Sequence, residues 1–413
     1  MKRKYNQLIS DYICRKLNDM QIAAKTFFGF EDILAKELQE LGAKNVEIGN
    51  RIVKFEGNQE FLYKCNIWLR TAISVLMPID TFRFKDEKDL IKKLSFIKYS
   101  TYFSVNKTFA VKGAVNSTLF NHSQYPLLLL KDAIADHFRD SFGKRPTVDK
   151  AKPNVVFDLH IDENECTVAL NSSGAPLFQR GYRKNVGEAP LNEIVASALL
   201  LRSGWDKKSD LIDPFCGSGT ICIEAALMAN DMPSMIERKN FGFKHWKDYD
   251  VNLFEALQDE IPRKPKAGLK FKIIGSDTNT DMITIARDNA RMLPLDNVLS
   301  FEAKDFKDVK APSEKGTLIS NPPYGERLDV EDIEKLYGEM GTFFKHKMGG
   351  YDCWIISSSV EGLKSVGLKP SKKIRVYNGD LECDYRQYKI FAGSYKEFKT
   401  ERRTEPRGRR PKK

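Results

Sequence analysis

Between residues 210 and 391, short apolar runs alternate with amphipathic stretches of helical length, and this alternation leaves the chain few architectures. The runs lie at 210–213, 271–275, 317–320 and 353–357, with helices expected at 221–229, 282–292 and 333–348 between them. Strands apolar on both faces, separated by helices, predict an α/β fold with an open, mostly parallel sheet. The pattern changes at its end, where 374–377 and 385–391 flank Asn378-Gly379. That dipeptide favours a tight turn, so the last two strands are expected as an antiparallel hairpin. A helix over 191–202, with Pro190 at its first position, should precede the sheet.

The N-terminal half has a different texture. Residues 1–20 read as a short helical extension. A strand at 22–28, a helix at 31–41 closed by Gly42, and strands at 46–48 and 51–55 suggest a small α+β unit. A second unit runs from Tyr63 to Asn171, with a strand at 109–113, a helix at 127–142 and a hairpin joining 155–161 to 166–170. Lysines recur through this unit, and taken alone such a scatter is an ordinary solvated surface. The segment 231–268 carries Phe241, Phe243, Trp246 and Tyr249 and interrupts the alternating region. It is read as packing over the sheet, with contact between its aromatics and RNA as the alternative.

Charge narrows the partners. Lys and Arg number 67 against 56 Asp and Glu, a net charge of +11, which favours a polyanion. Nine of the cations, against three Glu, lie between Lys396 and Lys413. With Pro406, Gly408 and Pro411 and few apolar residues, that tail is expected to be disordered, either as a solvated end or as a non-specific RNA tether. No apolar run approaches the roughly 18 residues of a membrane span, and no apolar segment follows Met1 as a secretory signal would require. The seven Cys form no C-x-x-C pair and the five His stand singly, so neither a disulfide framework nor a metal site is expected. The composition is that of a cytoplasmic protein with reduced thiols.

Two motifs carry chemistry. The first, Asp213-Pro214-Phe215-Cys216-Gly217-Ser218-Gly219-Thr220, spans a strand end and a helix start. Its glycines let backbone approach a ligand beside free helix amides, where open α/β sheets bind cofactors. The Lys of a phosphate-binding loop is missing and G-x-G-x-x-G is incomplete, so nucleotide-phosphate and dinucleotide readings are weak. The second is Asn321-Pro322-Pro323-Tyr324-Gly325, directly after a strand. Two prolines with fixed φ make a rigid ledge, which holds the Asn321 side-chain oxygen and the Pro322 carbonyl as paired acceptors for a base amino group. Tyr324 would offer a stacking face. Asp277 and Asp305 follow further strands, where one carboxylate could take ribose hydroxyls and the other an adenine amine; either could instead be a helix cap.

Together D-P-F-C-G-S-G-T and N-P-P-Y-G-E-R resemble amino methyltransferases that use S-adenosylmethionine. Gly181-Tyr-Arg183 and the segment from Gly187 to Glu193 narrow the resemblance to bacterial 23S rRNA guanine-N2-methyltransferases. That family implies a Rossmann-like class I methyltransferase domain, with a seven-stranded sheet, preceded by ferredoxin-like and THUMP RNA-binding domains. The boundaries expected here are 1–62, 63–175 and 176–395, with 396–413 as the tail. The resemblance implies that Glu188, Asp213, Pro214, Cys216, Gly217, Gly219, Asp277 and Asp305 bind the cofactor. It implies that Asn321, Pro322, Pro323 and Tyr324 hold the guanine. Lys107, Lys112, Lys144, Arg145, Arg183 and Arg327 become candidate RNA contacts. Some relatives carry a second methyltransferase domain after the first; none follows in this sequence, so a second modification is not expected. Three other readings stay open: a tRNA guanosine-N2 enzyme, an adenine-N6 DNA enzyme, and an RNA-binding assembly factor without activity.

Overall fold

The computed structural model describes residues 19–183, 191–295, 297–324, 329–379 and 381–391. The expected N-terminal helix and the basic tail lie outside these residues, as do Glu188, Pro190 and Arg327. The chain divides into two compact units. Among the described residues, one comprises those up to Gly181 together with Pro233–Ile261; the other comprises those from Tyr182 to Met232 and from Pro262 onward.

The first unit is built on one sheet. In chain order its elements are β1 (Met20–Lys25), α1 (Glu31–Leu41), β2 (Lys44–Ile48), β3 (Ile52–Gly57), α2 (Gln59–Trp68), β4 (Ser74–Arg83), α3 (Glu87–Phe96), β5 (Phe109–Asn116), α4 (Tyr125–Phe142), β6 (Val155–Asp162) and β7 (Glu165–Asn171). The strand order is β2-β3-β1-β4-β7-β6-β5, and β5–β6 is the parallel pair. β4 is not evident from the sequence pattern. It pairs β1 on one side and β7 on the other, so the two N-terminal units expected from the sequence share one continuous sheet.

The segment Pro233–Ile261, expected to lie over the sheet of the alternating region, belongs instead to this first unit. The Phe243 ring stacks on Tyr63 of α2 at 4.2 Å, and the Phe243 amide donates to the Ser172 carbonyl at 3.0 Å. Arg238 is 8% exposed and donates to five main-chain carbonyls, those of Ser173, Ala175, Pro176, Gln179 and Asn240. A buried guanidinium satisfied in this way fixes the 173–179 turn. The segment also forms the next helix, α5 (Val251–Asp259), capped by the Asp250 side chain.

The second unit holds the alternating pattern. Its elements are β8 (Asp210–Asp213), β9 (Ile273–Asp277), β10 (Leu299–Ala303), β11 (Gly316–Ser320), β12 (Tyr351–Ser357), β13 (Lys372–Asn378) and β14 (Leu381–Lys389). The helices are α6 (Glu193–Ser203), α7 (Thr220–Ala229), α8 (Thr280–Ala290), α9 (Val330–Lys347) and α10 (Val360–Ser365). The sheet order is β10-β9-β8-β11-β12-β14-β13, with β14 the strand that runs against the others. β8 is fully buried because parallel neighbours flank it on both sides. Every residue of α7 is buried, which explains its lack of a polar face. α6 begins two residues later than expected, because the Asn192 side chain accepts from the Ile194 amide and caps it. Asn378 pairs with Leu381 across the expected hairpin turn, where Gly379 has φ +65°.

Candidate active site

Four parallel strands, β10, β9, β8 and β11, end side by side at Ala303, Asp277, Asp213 and Ser320. Past those ends lies a cavity of about 560 Å³, within the second unit and within the size range of ligand sites. Asp213, Cys216, Gly217, Asp277, Asp305, Asn321 and Pro323 all line it. Residues up to 110 positions apart in sequence are thus gathered because each follows a strand of one sheet. Pro214, Gly219, Pro322 and Tyr324 are not among the lining residues.

Each acid is tied to the loops around it. Asp213 is 1% exposed and accepts from the Phe215 amide at 3.2 Å. Burial, reinforced by the Asp277 charge, pushes its pKa up to about 8. Asp277 accepts from the Gly217 amide at 3.0 Å and from the Asn279 amide at 2.9 Å. It therefore fastens the glycine loop to the end of β9, and each oxygen retains a free lone pair. Asp305 accepts from the Lys307 amide at 2.8 Å, so the capping role anticipated as a rival is present at a residue that also faces the cavity.

The glycines divide the work. Gly217 has φ +50° and nothing within 4 Å of a built Cβ, which leaves its backbone open. Gly219 has φ +83° and serves close packing, because a Cβ there would sit 2.7 Å from the Phe301 ring on β10. Several lining residues escaped the sequence reading, Phe306 and Met282 among them. Phe306 lies 5.1 Å from Phe215 between ring centroids, and Met282 comes from α8. The apolar residue directly after Asp305 was the available signal for Phe306. At one side of the cavity Lys307 pairs with Glu339 of α9 at 2.7 Å.

The ledge is braced from behind. Tyr324 is 8% exposed, and its hydroxyl accepts from Asn378 Nδ2 at 2.9 Å. The Tyr337 hydroxyl of α9 lies 3.4 Å from the Pro323 carbonyl and 2.8 Å from Ser357 Oγ. Asn321 Oδ1, by contrast, is buried without a hydrogen-bond donor, in a residue that lines the cavity. An unmet buried acceptor costs roughly 1–3 kcal/mol.

Of the expected RNA contacts, Lys112, Lys144 and Arg145 are exposed and Lys107 is half-buried. Arg183 is different. Its side chain is 10% exposed and pairs with Glu193, itself 5% exposed, at 3.0 Å, and it donates to the Leu191 carbonyl at 3.2 Å. A guanidinium so enclosed must hold an internal partner, so Arg183 is not available to RNA. It ties the ends of the two motifs that narrowed the resemblance.

Residues 180–387, half of the chain, match the RMKL-like methyltransferase domain. The chain belongs to that family. Residues 21–76 match the RlmL ferredoxin-like domain and 84–171 the THUMP domain. Within the RMKL-like group, the chain is 38% identical over 371 residues to the ribosomal RNA large subunit methyltransferase K/L of Shewanella frigidimarina. It is 38% identical over 368 residues to the protein of the same name from Psychromonas ingrahamii. These matches cover 89% and 88% of this chain but 52% and 49% of the relatives, so the chain spans about half their length. A chain described as a methyltransferase and solved with S-adenosylhomocysteine matches at TM-score 0.80 and 29% identity, covering 91% of this chain and 99% of that one. A chain from Listeria monocytogenes, described as a predicted N6-adenine-specific DNA methylase, matches at TM-score 0.82 and 28% identity, covering 92% and 98%.

Proposed function

We propose that this chain transfers a methyl group from S-adenosylmethionine to the exocyclic N2 amine of a guanosine in 23S rRNA, in the cytoplasm. The observation that carries the reading is the buried, donor-free Asn321 Oδ1 on a proline ledge beside the cavity at the strand ends. The THUMP match and the names of the K/L relatives support RNA, and large-subunit rRNA in particular.

When bound, S-adenosylmethionine would supply an electrophilic methyl group on sulfur, its S–C bond breaking as the C–N bond to the amine forms. Asn321 Oδ1 and the Pro322 carbonyl accept the two amine hydrogens and aim the nitrogen lone pair. Asp277 would hold the cofactor ribose hydroxyls with its free lone pairs, and Phe215 and Phe306 would offer apolar surface to the adenine. Asp305 would accept from the adenine amine with the oxygen its cap leaves free. The methylated amine is cationic and acidic, and its proton passes to solvent without a dedicated base. Positioning then supplies most of the catalysis, which can amount to roughly 7–11 kcal/mol.

Asn321→Ala should lower turnover more than tenfold while leaving S-adenosylmethionine affinity, measured by calorimetry, within about twofold. Turnover equal to the parent's would remove the ledge from the mechanism.

A further inference from the structure

The segment Pro233–Ile261 brings more than packing to the first unit. It runs against the turn that leads from α3 toward β5. The Lys247 amide donates to the Tyr102 carbonyl at 2.8 Å, and Lys247 Nζ donates to the Ser100 carbonyl at 2.7 Å. Three residues earlier, Lys244 Nζ lies over the Phe254 ring at 4.5 Å and donates to the Lys239 carbonyl at 2.8 Å. His245 sits between them in sequence. Its pKa is lowered by burial first, and then by the positive charges of Lys107 and Lys244.

Four cationic or titratable side chains therefore meet where this segment lies on the chain between residues 100 and 107. None of Lys107, Lys244 and Lys247 forms an ion pair among the described residues. Other lysines of the same unit do pair: Lys44 with Asp19, Lys93 with Asp89, Lys131 with Asp132. The nearby Asp250 carboxylate accepts from the Leu253 amide and caps α5. Two of the ammonium groups are held by main-chain carbonyls, which fix their positions without neutralising them. Burial lowers the pKa of both Lys244 and Lys247, so holding these charges costs free energy that an anion would return.

We propose that Lys107, Lys244, His245 and Lys247 form a phosphate-binding surface for the RNA substrate, contributed jointly by the THUMP region and the segment 233–261. The proposal rests on the RNA reading above and assigns that segment a role in substrate binding. The surface binds backbone phosphates without reading bases, because its heads are ammonium groups rather than planar forks. It adds to the affinity and to its salt dependence, and leaves the methyl-transfer step alone.

The test is filter binding of a 23S rRNA transcript across a KCl series, comparing the parent with Lys107→Gln/Lys247→Gln and with Lys107→Arg/Lys247→Arg. Each lost phosphate contact lowers the slope of log affinity against log salt by about 0.7–0.9. The Gln pair should lose about 1.4–1.8 from the slope and bind several-fold more weakly at physiological salt, while the Arg pair should match the parent. Calorimetric S-adenosylmethionine binding and the melting temperature of the Gln pair should equal the parent's, which separates the effect from misfolding. A Gln pair with the parent's slope and affinity overturns the proposal and leaves the RNA reading standing. A parent with a flat salt response overturns both, and is recognised by the parent data alone.

Discussion

Asp213 shows how far a single residue of the site is set by its surroundings. Buried at the end of β8 beside another acid, it titrates near 8 rather than at the ordinary 3.8. The folded chain then holds a proton that the unfolded chain has already released. Its contribution to stability falls as pH rises from about 4 and levels off above about 8. A cationic ligand group beside it favours the carboxylate, so S-adenosylmethionine affinity should rise with pH until about 8. Asp213→Asn should lose most of that dependence. Calorimetry of both proteins over about pH 6–9 checks this, and equal slopes would show that Asp213 stays ionised in the empty site. The types and order of these residues were legible in the sequence, since D-P-F-C-G-S-G-T and N-P-P-Y name their own positions. Their division of labour was not: Gly219 packs against Phe301, Arg183 turns inward to Glu193, and Tyr324 is held from behind by Asn378. Those outcomes depend on neighbours 10 or more positions away, which no local pattern encodes.

At the scale of elements, the hairpin of β13 and β14 does more than close the sheet. Asn378, the last residue of β13, reaches the Tyr324 hydroxyl on the ledge. Asn378→Ala should leave cofactor affinity unchanged and lower turnover by a few-fold, and it should have no further effect in a Tyr324→Phe background. A double-mutant cycle measures this coupling, and additive losses would separate hairpin from ledge. The segment 233–261 is the second case. A Cβ on Gly242 would stand 2.5 Å from the Asn171 carbonyl oxygen, so the chain there admits only glycine. Gly242→Ala should destabilise the first unit by roughly 1–3 kcal/mol, read as a lower unfolding midpoint in urea. An unchanged midpoint would mean that the segment is not docked as described. Sequence periodicity exposed the apolar strands of the second sheet well. It missed β4, which carries Pro78 and a register shift between Pro78 and Asp80 that breaks strict alternation. It also placed the segment 233–261 by chain order, whereas packing placed it with α2.

For the whole molecule, the order of parts follows from what each surface can do. The sheet of the second unit brings acids, glycine loop and ledge together because β10, β9, β8 and β11, the strands they follow, are parallel neighbours. The first unit carries the exposed cations Lys112, Lys144 and Arg145 with the cluster around His245. Among the described residues no helix is long and apolar enough to cross a membrane, and the six described cysteines are free and buried. The α/β class and the hairpin were readable from the sequence. The shared N-terminal sheet was not, because the pairings of β4 with β1 and β7 span about 50 and 90 positions of sequence. The account turns on which base amine receives the methyl group, so nucleoside mass spectrometry after incubation with isotope-labelled S-adenosylmethionine is the decisive measurement. Protein-free 23S rRNA, tRNA and plasmid DNA would be treated side by side. Labelled N2-methylguanosine in 23S rRNA alone is the predicted result. The same nucleoside in tRNA would move the substrate and keep the mechanism, whereas N6-methyladenine in DNA, or no label in any of the three, would contradict the central claim.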